Sequence, residues 1–190
     1  MTSGSEPEDA ERLLRDAAAM LDGHFRLTSG KHSSVYVEKF RLLERPVHTE
    51  ALCRMIAEWG RPLEPEVVAG PTTGGIIISY EVARLLGVRS IFAEPLNGGG
   101  RAFQRGFTIA PGERVLVVDD VLTTGSSVRE VLSAVRRLGG NIAGVAVLID
   151  RTGGTANFGV PFFACLTLNL PSYEPGQCPL CAEKVPLKVT

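Results

Sequence analysis

The sequence predicts an α/β protein: a mainly parallel five-stranded sheet with helices on both faces, preceded by a small N-terminal hood. Three observations carry that expectation. Short apolar runs at 67–70, 89–93, 115–118, 142–149 and 162–168 alternate with stretches of helical periodicity, the pattern of repeated strand–helix–strand units. The run Val115–Val118 is apolar without alternation, as in a strand covered on both faces. Two of the strands lead into turns of small hydroxylated residues and glycine, each followed at once by a helical pattern.

At 190 residues the chain suits one domain with a sizeable core, so residues 1–190 read as a single domain in which 1–45 form an N-terminal helix and hood. Its 44% hydrophobic and 22% charged residues are ordinary for a soluble globular protein. A net charge of −1 lacks the basic surplus that a nucleic-acid or anionic-membrane partner needs. Glu6, Glu8, Asp9 and Glu11 make the first residues too acidic for a signal peptide, and no apolar run approaches the ~18 residues of a membrane span. The expectation is a cytoplasmic protein. Four cysteines, two of them isolated, do not make a disulfide framework.

Taken in order, Ser5-Glu6-Pro7-Glu8 is a helix start, with a capping Ser and Pro in the first turn. Leu13, Leu14, Ala17, Ala18 and Leu21 recur at helical spacing, and Asp22-Gly23 is expected to end that helix. Val35 and Val37 suggest a strand after the Ser29-Gly30 turn. Residues 46–59 form a helix with Leu52, Met55, Ile56 and Trp59 on one stripe, and 60–65 a loop. The strand 67–70 is followed by Pro71-Thr72-Thr73-Gly74-Gly75 and a helix from Ile76 to Leu86. After the strand 89–93 regularity is expected to stop. Residues 94–106 hold three consecutive glycines flanked by Arg101 and Arg105, which reads as a lid closing over a charged substrate. A helix at 128–138 stops at Gly139-Gly140, and the strand 142–149 ends in Asp150-Arg151. Glycines 153, 154 and 159 loosen the next loop before the last strand, 162–168.

The chemistry concentrates after Val115–Val118. Asp119 and Asp120 are adjacent carboxylates, suited to accept hydrogen bonds from a sugar diol. Val121 and Leu122 follow, then Thr123, Thr124, Gly125, Ser126 and Ser127, where the next helix begins. Such a turn offers unpaired backbone N–H groups, hydroxyl donors and the positive end of a helix dipole, all favouring an anion. One ligand suits both halves: a ribose bearing a 5′-phosphate. Taken singly, these features are those of ordinary helix caps in α/β proteins. Thr72, Thr73 and Gly74 form a second turn of the same type, hence a second phosphate cradle.

The full run 115–128 resembles the 5-phosphoribosyl-1-pyrophosphate signature of the type I phosphoribosyltransferases. Ser29-Gly30-Lys31-His32-Ser33-Ser34-Val35-Tyr36 is similar to the N-terminal segment of the orotate phosphoribosyltransferases. The resemblance implies that fold and the conversion of orotate to orotidine 5′-monophosphate with release of pyrophosphate, a step of UMP biosynthesis. It implies that Asp119 and Asp120 hold the ribose, residues 123–127 wrap the 5-phosphate, and Thr72, Thr73 and Gly74 take the pyrophosphate. Tyr36, Val37, Thr123 and Arg151 are implied to hold orotate, with Mg²⁺ as cofactor carried by substrate oxygens rather than by direct protein ligands. A homodimer whose lid reaches the neighbouring site is implied as well.

The chain departs from the family's pattern in two places. Thr28 stands where many members have Lys, with Lys31 as a partial replacement, and the lid holds no Lys, so Arg101 and Arg105 are its only substitutes. The Cys178-Pro179-Leu180-Cys181 tail is similar to that of one branch of these enzymes. Two ligands fall short of the four a structural zinc takes, so the pair reads as inert thiols, with a metal shared between subunits as the alternative. His24, His32 and His48 read as surface or satisfied histidines. Two other functions stay open at this point: a purine phosphoribosyltransferase, and a non-catalytic sensor of phosphoribosyl pyrophosphate.

Overall fold

The structure, a computed structural model, describes residues 6–27 and 29–189. Its elements are α1 (Glu6–Asp16), β1 (Met20–Arg26), β2 (His32–Val37), α2 (Lys39–Leu43), α3 (Pro46–Gly60), β3 (Val67–Pro71), α4 (Gly74–Leu86), β4 (Arg89–Pro95) and β5 (Arg101–Phe103). There follow β6 (Arg114–Leu122), α5 (Ser126–Arg137), β7 (Asn141–Asp150), β8 (Phe162–Thr167), β9 (Ser172–Tyr173), α6 (Pro179–Ala182) and β10 (Lys188–Val189). No helix among the described residues is long and apolar enough to cross a membrane.

The main sheet has the order β5-β4-β3-β6-β7-β8. Every pairing is parallel except β4 with β5. Strand β6 lies inside it, between β3 and β7, and its side chains alternate between two cores as the two-residue period requires. Leu116 and Val118 join Leu14, Leu52, Ile56, Ile78 and Val82, so α1, α3 and α4 cover that face. Val115 and Val117 join Val128, Val131 and Val135 of α5 on the other. Each such fully buried aliphatic side chain contributes about 1.5–3 kcal/mol through area removed from water. The loops at the carboxyl ends of β3, β4, β6 and β7 therefore leave from a rigid platform.

The parallel α/β architecture stands as expected, with a six-stranded rather than a five-stranded sheet. The sixth strand is β5: β4 continues through Glu94 and Pro95, turns at 96–100, and returns antiparallel, pairing Ala93 with Phe103 and Pro95 with Arg101. The segment expected to be irregular is thus partly a hairpin, closed at its tip by Leu96 N–H donating to Gly100 O at 3.0 Å. Pro95 is tolerated there because it ends β4 beyond the reach of β3, whose pairing stops at Pro71 opposite Ala93.

The N-terminal helix also ends sooner than predicted. It stops at Asp16, Ala18 takes a left-handed φ of 52°, and Met20 opens a strand instead. Leu21 continued the helical spacing by coincidence, and Asp22-Gly23 lie within β1 beside a register shift. The predicted cap at Ser5 and the departure at Thr28 lie outside the described residues. The hood is a second small sheet in the order β10-β1-β2-β9, so the end of the chain returns to embrace the beginning.

Strand β3 and helix α4 approach so closely that a Cβ on Gly70 would collide with the Gly75 carbonyl. Gly70→Ala is expected to cost about 1–3 kcal/mol by overpacking. Urea unfolding should show a lower midpoint at unchanged slope; an unchanged midpoint would contradict this packing.

Candidate active site

The sheet delivers Asp119 and Asp120 at the end of β6, where they are 7% and 3% exposed. Asp119 Oδ1 accepts the Asp120 N–H at 2.8 Å, and Asp120 Oδ1 accepts the Val121 N–H at 2.5 Å. Asp120 Oδ2 meets Lys39 Nζ at 2.7 Å. Beyond that ion pair it has no hydrogen-bond partner among the described residues. A Cβ on Gly74 would occupy the place of Asp120 Oδ2, and Gly75 lies against Asp119 Oδ1. The glycines that open α4 are therefore what let the pyrophosphate-type turn sit directly on the acid pair. Burial, and then the charge of Asp120, push Asp119 up from the usual carboxylate range to about 7.

Beyond Leu122 the chain turns through exposed Thr123 and Thr124 into Gly125, at φ 77° and ψ 9°, which then starts α5. Only glycine adopts that left-handed geometry without cost. Thr124 Oγ1 donates to Ser126 Oγ at 3.2 Å and accepts the Ser126 N–H at 3.4 Å, a long contact that an incoming anion would readily displace. The turn lines a cavity of about 340 Å³ with Leu122, Arg129, Thr152, Thr155 and Phe158. Arg129 stacks on the Phe158 ring at 5.0 Å and adds a cation the sequence reading did not single out.

The second turn begins with a cis peptide between Thr72 and Thr73. Arg101 reaches it from β5: its guanidinium donates to Thr72 Oγ1 at 3.0 Å and to the Ala93 carbonyl at 3.2 Å, and pairs with Glu130 at 3.3 Å. Arg105 does not join it. It pairs with Glu94 at 2.8 Å and its side chain is 65% exposed. The two lid arginines of the sequence reading thus occupy different places, one on the pyrophosphate-type turn and one outside it.

Of the remaining predicted residues, Tyr36 and Arg151 come together: Arg151 is half-buried, which lowers its basicity, and the Tyr36 phenol is near enough to oppose that electrostatically. Tyr36 packs on Phe25 with ring centres 5.6 Å apart. The Val37 side chain is buried in the core, so only its backbone remains to face a ligand. Lys31 turns to Glu174 at 3.2 Å rather than toward the acids. Besides Arg129, sequence reasoning passed over Lys39, which ties the hood to Asp120 across 81 positions of chain. Its only signal was a lone cation two residues past Val37.

Comparison with known proteins gives the family. The chain belongs to the phosphoribosyltransferase family: residues 48–169 match the family model described as a phosphoribosyl transferase domain. The orotate phosphoribosyltransferase of Pelotomaculum thermopropionicum is 52% identical over 174 residues, covering 92% of this chain and 91% of that protein. The orotate phosphoribosyltransferase of Thermotoga maritima is 46% identical over 176 residues, covering 93% and 94%. Among solved structures, orotate phosphoribosyltransferase from Aeropyrum pernix superposes with a TM-score of 0.70 at 29% identity, over 83% of this chain and 92% of that one. An adenine phosphoribosyltransferase from Thermoanaerobacter pseudethanolicus superposes at 0.62 with 18% identity, covering 70% and 88%, which shows the shared fold alone.

The raised Asp119 has a definite sign. With its folded value near 7 and its unfolded value near 3.8, stability is fully present below the lower value and is lost as pH rises through the higher. Asp119→Asn removes the cost of a buried charge while keeping an acceptor for the Asp120 N–H. It should stabilise the protein at pH 8, by no more than about 4 kcal/mol, and the gain should shrink toward pH 5. Urea titrations at the two pH values check this; an equal effect at both would contradict it.

Proposed function

We propose that this chain transfers the 5-phosphoribosyl group of 5-phosphoribosyl-1-pyrophosphate to orotate, giving orotidine 5′-monophosphate and pyrophosphate. The observation that carries this reading is the contact of Asp120 with Gly74, which sets a diol-binding acid pair between two anion-binding turns. That spacing suits a ribose with phosphate at one end and pyrophosphate at the other. The names of the relatives supply the base.

In the reaction a ring nitrogen of the base forms a bond to the ribose C1 as the bond from C1 to the pyrophosphate oxygen breaks, and the bonding pair leaves with pyrophosphate. Positive charge develops on the ribose and negative charge on the leaving group. The protein therefore positions and stabilises rather than supplying a nucleophile. Asp119 and Asp120 accept hydrogen bonds from the ribose hydroxyls, and their negative charge stabilises the cation forming beside them. Before substrate arrives, Lys39 neutralises Asp120. Residues 123–127 hold the 5-phosphate. Thr72, Thr73 and Gly74, with Arg101 over them, take the pyrophosphate. Arg151 offers a planar fork to the orotate carboxylate with Tyr36 beside it, and Thr123 and the Val37 backbone complete the base site.

Mg²⁺ fits the hard oxygen donors here. Asp119 and Asp120 would be the carboxylates facing such an ion, which would be carried by substrate oxygens and water rather than ligated directly, since Lys39 already holds Asp120 Oδ2. Bound so, it would neutralise charge on the leaving group. A cytoplasmic homodimer is part of the proposal. Exposed Ile77 and Tyr80 line a mainly apolar cavity of about 390 Å³ with Leu43 and Pro46, a face suited to a second copy. The segment 94–106, with the hairpin tip at 96–100, is the proposed lid.

Incubation with phosphoribosyl pyrophosphate, Mg²⁺ and each base in turn should give turnover with orotate and none with adenine, hypoxanthine or guanine; purine turnover would overturn the assignment. Arg101→Ala should lower kcat by about 10²–10³, as loss of an oxyanion donor does. Arg105→Ala, removing an exposed ion pair, should change it by less than about fivefold. Equal effects would show that the hairpin is arranged differently during turnover.

A further inference from the structure

Four side chains outside the active site converge in the hood. His24 lies on β1, His32 opens β2, and Cys178 and Cys181 flank the start of α6. His24, His32 and Cys178 are 2%, 4% and 4% exposed, and Cys181 is open to solvent. One ligand atom from each lies within 4.8 Å of all the others. His24 Nε2 is 3.0 Å from His32 Nδ1, 3.5 Å from Cys178 Sγ and 3.7 Å from Cys181 Sγ, and Cys181 Sγ is 3.3 Å from His32 Nδ1. A zinc tetrahedron with Zn–S about 2.3 Å and Zn–N about 2.0–2.1 Å has ligand-to-ligand edges of about 3.3–3.8 Å. Four of the six separations, at 3.0–3.7 Å, come close to those edges, and all six lie within 4.8 Å.

Hydrogen bonding alone accounts poorly for it. His24 Nδ1 lies 2.8 Å from the Val185 carbonyl oxygen, which can only accept, so Nδ1 carries a proton and in the neutral ring Nε2 is a bare lone pair. That one lone pair faces an imidazole nitrogen and two sulfurs, more prospective donors than it can accept. A cation at the centre would satisfy all four groups together. The Val185 contact is also what a metal-binding histidine uses to fix its tautomer and aim its other nitrogen.

We propose that His24 Nε2, His32 Nδ1, Cys178 Sγ and Cys181 Sγ bind a structural Zn²⁺. Two thiolates and two imidazoles at tetrahedral spacing select zinc among common divalent ions, and four protein ligands leave no open position for catalysis. All four come from one chain, so no ligand from a second subunit is needed. Cys53 and Cys165 stay out of it: burial pushes the Cys53 thiol up to about 12, and Cys165 Sγ points to the Leu52 carbonyl at 3.4 Å.

The site explains how the tail is held. Between Pro171 and Val189, Cys178 is the only buried residue, and the flanking β9 and β10 pair over just two residues each. A segment with so little apolar anchorage needs a staple. Zinc would bind it to β1 and β2, the sheet that carries Tyr36 and leads into Lys39.

Elemental analysis of the untagged full-length protein, grown with zinc, should find close to one zinc per chain. Replacement by Co²⁺ should give the intense visible bands of tetrahedral cobalt and a thiolate-to-metal charge-transfer band in the near ultraviolet. Cys181→Ser, at the exposed corner where folding is least at risk, should cut zinc content and abolish or shift the charge-transfer band. Cys53→Ser should leave both unchanged. Chelation should lower the Tm, and added zinc should restore it. Wild-type protein that holds no zinc and gives no cobalt–thiolate band, or that carries a Cys178–Cys181 disulfide by mass spectrometry, would overturn the proposal.

Discussion

The structure turns on how closely the start of α4 can approach the end of β6. Asp120 fits where Gly74 has no side chain, and Asp119 lies against Gly75. Because both glycines are buried at the head of one helix, two separate turns share a wall. Place any side chain there and the acids would be pushed off the pyrophosphate-type turn. The Thr124–Ser126 contact lies on one of these turns and Arg101 on Thr72 of the other.

The same approach stores an electrostatic cost. Two carboxylates, side by side and nearly buried, repel one another and lose solvation. The molecule meets this unequally. Asp120 gains Lys39, while Asp119 receives a single backbone N–H and is held near 7. A pair with one member close to the protonation boundary has its strongest demand for a hydrogen-bond-donating or cationic partner. The proposed ribose diol with magnesium would supply both. The hood thus enters the site twice, through Tyr36 near Arg151 and through Lys39 on Asp120, although its own sheet is small and held by short strands.

What the sequence discloses follows from where the signal is local. Strand β6, its turn and α5 were legible because apolar run, acid pair and glycine turn lie within 14 consecutive residues. The parallel sheet was legible because strands covered on both faces lack alternation. Strand β1 was not, since Leu21 fell on the helical spacing and only Ala18's left-handed turn breaks it. Strand β5 spans three residues, too few for any period to register. Lys39 with Asp120, and His24 with Cys181 at a separation of 157 residues, are products of tertiary folding, so neither spacing nor composition announces them. Arg105 is the reverse case: its residue type suits the lid, yet here it pairs with Glu94 eleven residues earlier, a partner that composition does not announce.

The most direct test of this account is calorimetric titration of the protein with phosphoribosyl pyrophosphate in the presence of Mg²⁺. The shared wall between the two turns predicts saturable uptake at one site per chain, weakened by Gly74→Ala far more than by a substitution on the outer face of α5 such as Arg136→Ala. Absence of uptake by the unaltered protein, or full affinity in the Gly74 variant, would contradict it.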